Sequence, residues 1–252
     1  MKKLKFLPVF ALLVSLSGCF DTVQEISIRP DGSGTYRLTN DLGNLLSLLK
    51  EMDPATAKKF EHAVRDTSYS LASVADSTPG LTAEEKELFR AGRFEGQMNA
   101  AENKFRTAVS FDFSRIEQVP VLRKLSGFLG VDALQRQIAN LPNDGDLGMD
   151  IKNITSADDY YIITYAPGSI TRTLNKEKHA DLAKDEYLQA LRQASLMGIS
   201  SSNTIVINLP SPAKKVEGLQ VKTSADGKQV TVTGSLDDLY DDPAKLEFRI
   251  EY

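Results

Sequence analysis

The sequence predicts an α+β fold: an antiparallel sheet built from N- and C-terminal hairpins, with a helical insertion between them. Three observations lead there. Alternating polar and apolar residues cluster at both ends of the chain. Helical spacing fills much of the middle. Short Gly-containing turns join neighbouring strands, and such turns are compatible only with antiparallel pairing.

Gln24-Glu25-Ile26-Ser27-Ile28-Arg29 alternates as a strand with one buried face does. Pro30-Asp31-Gly32-Ser33-Gly34 is a dense turn signal, and Thr35 to Thr39 resumes the alternation, so the start of the chain reads as a β-hairpin. Leu42, Leu45, Leu46, Leu49 and Met52 recur at helical spacing and predict an amphipathic helix over 41–51. Asp53-Pro54 opens a second predicted helix, running to about Val74. Ser77-Thr78-Pro79-Gly80 breaks it, and Thr82-Ala83-Glu84-Glu85 is a capping box that starts a helix to about Gly92. The helical insert is taken as about residues 40–100.

Lys104 to Phe113 predicts a strand with Phe105, Thr107, Val109, Phe111 and Phe113 on one face. Val119 to Asn140 reads as helical, interrupted at Gly127 and Gly130, and 142–150 as a loop. Asp159 to Ala166 predicts a strand, and Lys176 to Met197 a helix ending at Gly198. Strands follow at Thr204–Leu209, Gly218–Ser224 and Gln229–Gly234, with Asp226-Gly227 as the hairpin turn of the last two. Lys245 to Tyr252 is the final predicted strand. The terminal strands are expected to meet in one sheet, within a single domain spanning 19–252.

Residues 1–18 read differently. Lys2, Lys3 and Lys5 precede an apolar run from Leu7 to Leu16 that is too short for a bilayer core of about 30 Å. This is the pattern of a signal peptide. It ends in Leu16-Ser17-Gly18-Cys19, which resembles the bacterial lipobox at all four positions. The resemblance implies a diacylglyceryl thioether on Cys19, cleavage before it, and acylation of the new amino terminus. Acyl chains contribute about 0.8 kcal/mol per buried CH₂, so two or three of them anchor stably. Cys19 is the only cysteine in the chain, which excludes an intramolecular disulfide. In enteric-type bacteria an Asp directly after the lipidated cysteine resembles an inner-membrane retention signal. Phe20 stands there instead, so the outer membrane, facing the periplasm, is the expected location. No long Gly/Ser tether follows, and at ~3.5 Å per residue the first strand sits about 15 Å or less from the lipid.

Removing Lys2, Lys3 and Lys5 leaves 27 Lys+Arg against 34 Asp+Glu, a net charge of −7. That balance argues against nucleic-acid binding, which needs a positive field, and against docking on anionic lipid by charge.

Four groups of residues offer chemistry. Ser47-Leu48-Leu49-Lys50 resembles the S-x-x-K motif of penicillin-binding proteins and class A β-lactamases, in which the lysine one turn on assists the serine. Lys222-Thr223-Ser224 is faintly similar to their K-T-G, but no S-D-N element follows in order. His62 and His179 sit among charged residues on predicted helices and read as surface histidines. Asn143-Asp144-Gly145-Asp146 with Asp150, and Asp237-Asp238 with Asp241-Asp242, supply oxygen ligands for a hard cation, although acids in loops ordinarily serve turns and caps. The apolar helices Leu42–Met52 and Val121–Ile138 either cover the sheet or line a groove for a lipid or peptide.

The hairpin Ile26 to Gly34 resembles the start of uncharacterised bacterial lipoproteins that follow a short cysteine leader with strand, P-D-G-S-G, strand. At the other end, Ile205-Val206-Ile207-Asn208-Leu209-Pro210, Val216-Glu217-Gly218 and Ser224-Ala225-Asp226-Gly227-Lys228 resemble the closing portion of LppM-like lipoprotein domains. This resemblance covers about 90 residues at the two ends. It implies an envelope-associated α+β lipoprotein without an assigned catalytic centre.

The resulting expectation is a non-enzymatic envelope lipoprotein that needs no cofactor or metal. Its partners are the membrane, through lipid on Cys19, and an envelope protein or apolar ligand. The alternatives are a cell-envelope serine hydrolase using Ser47 and Lys50, or a carrier of an apolar ligand.

Overall fold

The computed structural model describes residues 20–44, 47, 50, 64–78, 80–127, 129, 156–196 and 201–252. Two sheets carry the fold. The larger is built from β1 (Phe20–Ile28), β2 (Gly34–Asp41), β3 (Val64–Ser70), β4 (Arg93–Asn99), β5 (Lys104–Phe113), β8 (Ser201–Asn208), β10 (Val221–Thr223) and β11 (Gln229–Ser235). These eight strands lie in the order β10-β11-β8-β1-β2-β5-β4-β3. The smaller sheet is built from β6 (Tyr161–Ala166), β7 (Ser169–Leu174), β9 (Lys215–Glu217) and β12 (Phe248–Glu251), in the order β6-β7-β12-β9.

The α+β class and the two terminal hairpins stand as the sequence predicts. β1 and β2 pair from Asp21↔Asp41 to Ile28↔Gly34 around the Pro30–Ser33 turn. There Gly32 takes φ +81°, and the Asp31 carboxylate accepts bonds from the amide and hydroxyl of Ser33 at 3.0 and 2.6 Å. β11 pairs antiparallel with both β10 and β8. The hairpin regions meet through β1 and β8, which are parallel, from Phe20↔Ser201 to Ser27↔Asn208. Every other strand pair among the described residues is antiparallel. The chain's last strand, β12, belongs to the smaller sheet, so it is β8, with β11 beyond it, that joins the N-terminal strand.

The insert is only partly helical. Gly43, Asn44, Ser47 and Lys50 are helical, within the predicted 41–51 helix. α1 (Ala72–Ser77) is short, and α2 (Ala83–Arg90) opens with the predicted capping box, in which Thr82 and Glu85 bond reciprocally. The helix expected from Pro54 to Val74 is corrected. Its first ten residues lie outside the described residues, but Val64–Ser70 is strand β3. Apart from half-buried Thr67, every β3 side chain is exposed, so no apolar stripe was available to make a helix there. Arg93–Asn99, also inside the insert, is strand β4.

Helix α3 covers 119–127, with Leu129 helical beyond it, inside the helix predicted from Val119. The second half then holds further differences, among them strand β9 and a 3₁₀ turn at Pro243–Leu246 where the last strand was expected to begin. Ser169–Leu174 is strand β7, paired with β6 across the turn at Gly168, φ +77°. Lys176 to Leu196 is not one helix. It is α4 (Lys176–His179), a 3₁₀ turn (Leu182–Lys184) and α5 (Glu186–Leu196). Asp185 marks the second break: its carboxylate accepts the Leu188 amide at 3.0 Å and the Tyr160 hydroxyl at 2.7 Å. Finally, Leu236–Asp241 forms a helix, α6, which Ser235 and Asp238 cap reciprocally.

One core cluster unites Ile26, Tyr36, Phe94, Val109, Phe111, Ile205 and Val230 of the large sheet with Leu71, Phe89, Leu122 and Leu125 from the helical side. Ile170 and Ile250 of the small sheet complete it. Tyr160, Tyr161, Leu182, Leu188, Leu236, Leu239 and Leu246 form a second cluster around α4–α6. The opposite face of the large sheet carries polar side chains such as Glu25, Arg37, Glu95 and Ser110.

Candidate functional site

The first strand is central. β1 begins at Phe20 and has β2 on one side and β8 on the other. Cys19 lies outside the described residues, but it is bonded to Phe20, and successive Cα atoms are about 3.8 Å apart. No residue separates Cys19 from the sheet.

A buried polar cluster lies further along β1. Gln24 shares the core-facing side with Ile26 and Ile28. Its amide nitrogen donates to Asp158 Oδ2 at 2.9 Å, and its carbonyl oxygen accepts from Arg123 Nε at 3.1 Å. Arg123 of α3 also bonds Asp158 Oδ2 directly. Arg172 of β7 brings Nη2 to 2.9 Å from Asp158 Oδ1, with the two side chains 4% and 5% exposed. This is a charge contact without hydrogen-bond alignment: Arg172 Nε and Asp158 Oδ1 have no hydrogen-bond partner among the described residues. The Arg172 guanidinium also lies 4.0 Å over the Tyr161 ring. Burial pushes its pKa down to about 10, because water no longer stabilises the cation. Tyr36 and Ser126 complete the region with a 3.3 Å contact between their hydroxyls.

Two guanidiniums thus meet one carboxylate where β1, α3, β7 and the turn before β6 converge. The arrangement ties four chain segments together.

The buried phenols predict an alkaline limit on stability. Burial pushes Tyr36 up to about 12 and Tyr161 up to about 12, and it also raises Tyr160. A folded pKa above the unfolded value, here about 10, gives stability that is fully present below pH 10 and lost as pH rises through the folded value. The depressed Arg172 acts the other way, since its penalty is relieved as pH rises above about 10. Three tyrosines outweigh one arginine. The expected result is a denaturation midpoint that is flat up to about pH 10 and then falls, with 295 nm absorbance showing that phenols ionise as the fold is lost.

The residues singled out by sequence fall as follows. The Ser47 hydroxyl donates to the Gly43 carbonyl at 3.2 Å, as helical serines do. Lys50 Nζ bonds the Ala100 carbonyl and Asn103 Oδ1, in the turn between β4 and β5. Lys222-Thr223 lies on β10, five strand positions from β5, or about 24 Å at ~4.8 Å per step. The structure does not bring the two motifs together.

His179 Nε2 lies 3.0 Å from the Leu239 carbonyl and links α4 to α6, while His62 is outside the described residues. So is the 142–150 loop. The later acids have protein partners: Asp238 caps at Ser235, Asp237 accepts from Ser195, Asp241 pairs with Arg192 and Asp242 with Lys245. Among the described residues no group of three or more His, Cys, Asp or Glu is placed to hold a metal ion.

Open grooves lie on the surface of the described residues. One, of about 440 Å³, has Leu88, Ala91 and Phe113 as an apolar floor and Glu84, Glu87 and Asp112 at its rim. Another, about 510 Å³, lies on the polar sheet face among Arg37, Asp66, Arg93, Glu95 and Arg106. No helix among the described residues is long and apolar enough to cross a membrane.

The charged cluster was not visible in the sequence as a cluster. Its one local signal is parity, since Arg172 shares a face with Ile170 once β7 is recognised as a strand.

No protein-family model matches the chain, and no curated protein matches it. Among solved structures, the folded domain of the Mycobacterium tuberculosis LppM protein, determined by NMR, aligns at 9% identity. The alignment covers 100% of this chain and 95% of that one, with a TM-score of 0.33.

Proposed function

We propose that this chain is a bacterial envelope lipoprotein, fixed to a membrane by lipid on Cys19, whose folded domain has a structural or binding role rather than a catalytic one. One observation carries the reading. The lipobox ends at Cys19, and a central strand begins at the very next residue. An ordinary exported domain has no need of a cysteine at that point. Here the acyl chains would be joined to the middle of the sheet, and the domain would lie against the bilayer instead of projecting from it. The Phe20 that follows supports an outer-membrane location facing the periplasm.

The binding role draws support from chemistry already accounted for. Ser47 and Lys50 are each engaged with carbonyl or amide oxygens, and the buried ionic cluster ties elements together. The open grooves supply surface for a partner.

Cys19→Ser tests the anchor in cells. The variant is expected to accumulate as an unprocessed precursor and to fail to partition with detergent-extracted lipoproteins. A variant that matures and fractionates like the parent protein would sink the proposal.

A further inference from the structure

We propose that β3 is a self-association edge, pairing antiparallel with β3 of a second copy to continue the large sheet across a dimer. β3 is the longest edge strand, with seven residues against six in β6 and three each in β9 and β10. Among the described residues only β4 pairs with it, in an unbroken register from Val64↔Asn99 to Ser70↔Arg93. Natural edges are usually blunted by short length, charged side chains, proline or a bulge. VRDTSYS is seven residues long, has no proline, and pairs with β4 without a bulge; its only charges are Arg65 and Asp66, which are adjacent and of opposite sign. The strand also holds two of the exposed large hydrophobic side chains, Val64 at 70% and Tyr69 at 39%.

The charges on the strand limit the register. In an antiparallel pair with a two-fold axis normal to the sheet, facing residues must have the same parity. An axis at Thr67 sets Arg65 against Tyr69 of the second copy, a cation facing an aromatic ring. It sets Asp66 against Ser68, so no like charges meet. An axis at Asp66 would oppose two carboxylates, which disfavours it. An axis at Ser68 likewise brings no like charges together, so the strand admits a second copy of itself in either register.

The dimer also suits a shared membrane, the one point that rests on the anchor reading. Strands in a sheet rotate by roughly 20–25° per step. Over the four steps from β1 to β3 this amounts to about 80–100°. The sheet normal at β3 then lies nearly along the direction of β1. A two-fold axis in that direction leaves both β1 strands pointing the same way, and both Cys19 residues on one side of the dimer.

Thiol crosslinking of the full-length lipidated protein tests the pairing, because an introduced cysteine is the only free thiol when Cys19 is acylated. Thr67→Cys should give a disulfide-linked species of twice the chain mass, since directly opposed Cα atoms lie about 4.5–5.5 Å apart, within the roughly 4.4–6.8 Å that a disulfide spans. Ala225→Cys, in the exposed turn before β11, should not. The parent protein in detergent should scatter light as a dimer, and Ser68→Asp, which sets two acids against each other twice, should shift it toward monomer at least tenfold in dissociation constant. Monomeric scattering with no crosslink at Asp66→Cys, Thr67→Cys or Ser68→Cys would overturn the proposal. Equal crosslinking at Ala225→Cys, or capture of a different protein at position 67, would overturn it as well. Failure of the anchor reads out separately, as a free Cys19 thiol.

Discussion

Asp158→Asn is expected to destabilise the fold by about 3–5 kcal/mol, the cost of removing one partner from a buried charge cluster. The substitution keeps the shape of the side chain and removes only its charge. Arg172 is then left buried at 4% exposure with no counter-ion, and Arg123 loses its carboxylate contact. The control is Asp76→Asn, which breaks the exposed pair with Arg90 and should cost about 1 kcal/mol or less. Urea denaturation of the protein measures both. A second comparison separates charge from packing. Replacing Asp158 by Leu together with Arg172 by Met removes the more deeply buried cation and leaves only the less buried Arg123 without its carboxylate, so the double variant should recover part of the loss. Equal midpoints for Asp158→Asn and Asp76→Asn would show that the cluster does not hold the two sheets together.

Gly34→Ala should cost about 3 kcal/mol, at the upper end of ordinary overpacking. The reason is space. A Cβ at Gly34 would lie 2.0 Å from the Ser27 carbonyl oxygen and 2.3 Å from the Phe113 ring, so both the β1–β2 hairpin and its contact with β5 must move. Gly32, two residues earlier, is the informative comparison. Its φ is +81°, and nothing lies within 4 Å of an added Cβ. Gly32→Ala meets only the left-handed backbone penalty, about 1 kcal/mol. Thermal or urea unfolding of the two variants should therefore rank Gly34→Ala as the worse, although both glycines belong to one turn motif. The reverse ranking would mean that the hairpin is limited by turn conformation and not by packing.

How much was legible in the sequence depended on whether the signal was local. The β1–β2 hairpin was legible because alternation and turn chemistry agree from Gln24 to Thr39, without help from distant residues. The capping box at Thr82 and the Asp226-Gly227 turn are equally local, and both are in place. β3 was not legible. It follows a Leu-rich helical stretch, its side chains are nearly all exposed, and its strand character comes from pairing with β4. β7 was hidden for a related reason, since Arg172 interrupts what would otherwise be an apolar face. The ionic cluster was out of reach altogether: Gln24 and Asp158 are 134 positions apart, and only the packing of α3 and β7 against β1 brings their partners together. The Ser47–Lys50 spacing was readable, but spacing alone does not reveal that each side chain bonds a backbone or amide oxygen nearby.

The intact mass and N-terminal peptide of the mature protein, purified from membranes, test the central claim most directly. The account predicts a chain beginning at Cys19, heavier than its amino-acid mass by a diacylglyceryl group and an amide-linked acyl chain, with no titratable thiol. A mature chain that starts at any other residue, or one that starts at Cys19 with a free thiol and no added mass, would contradict it.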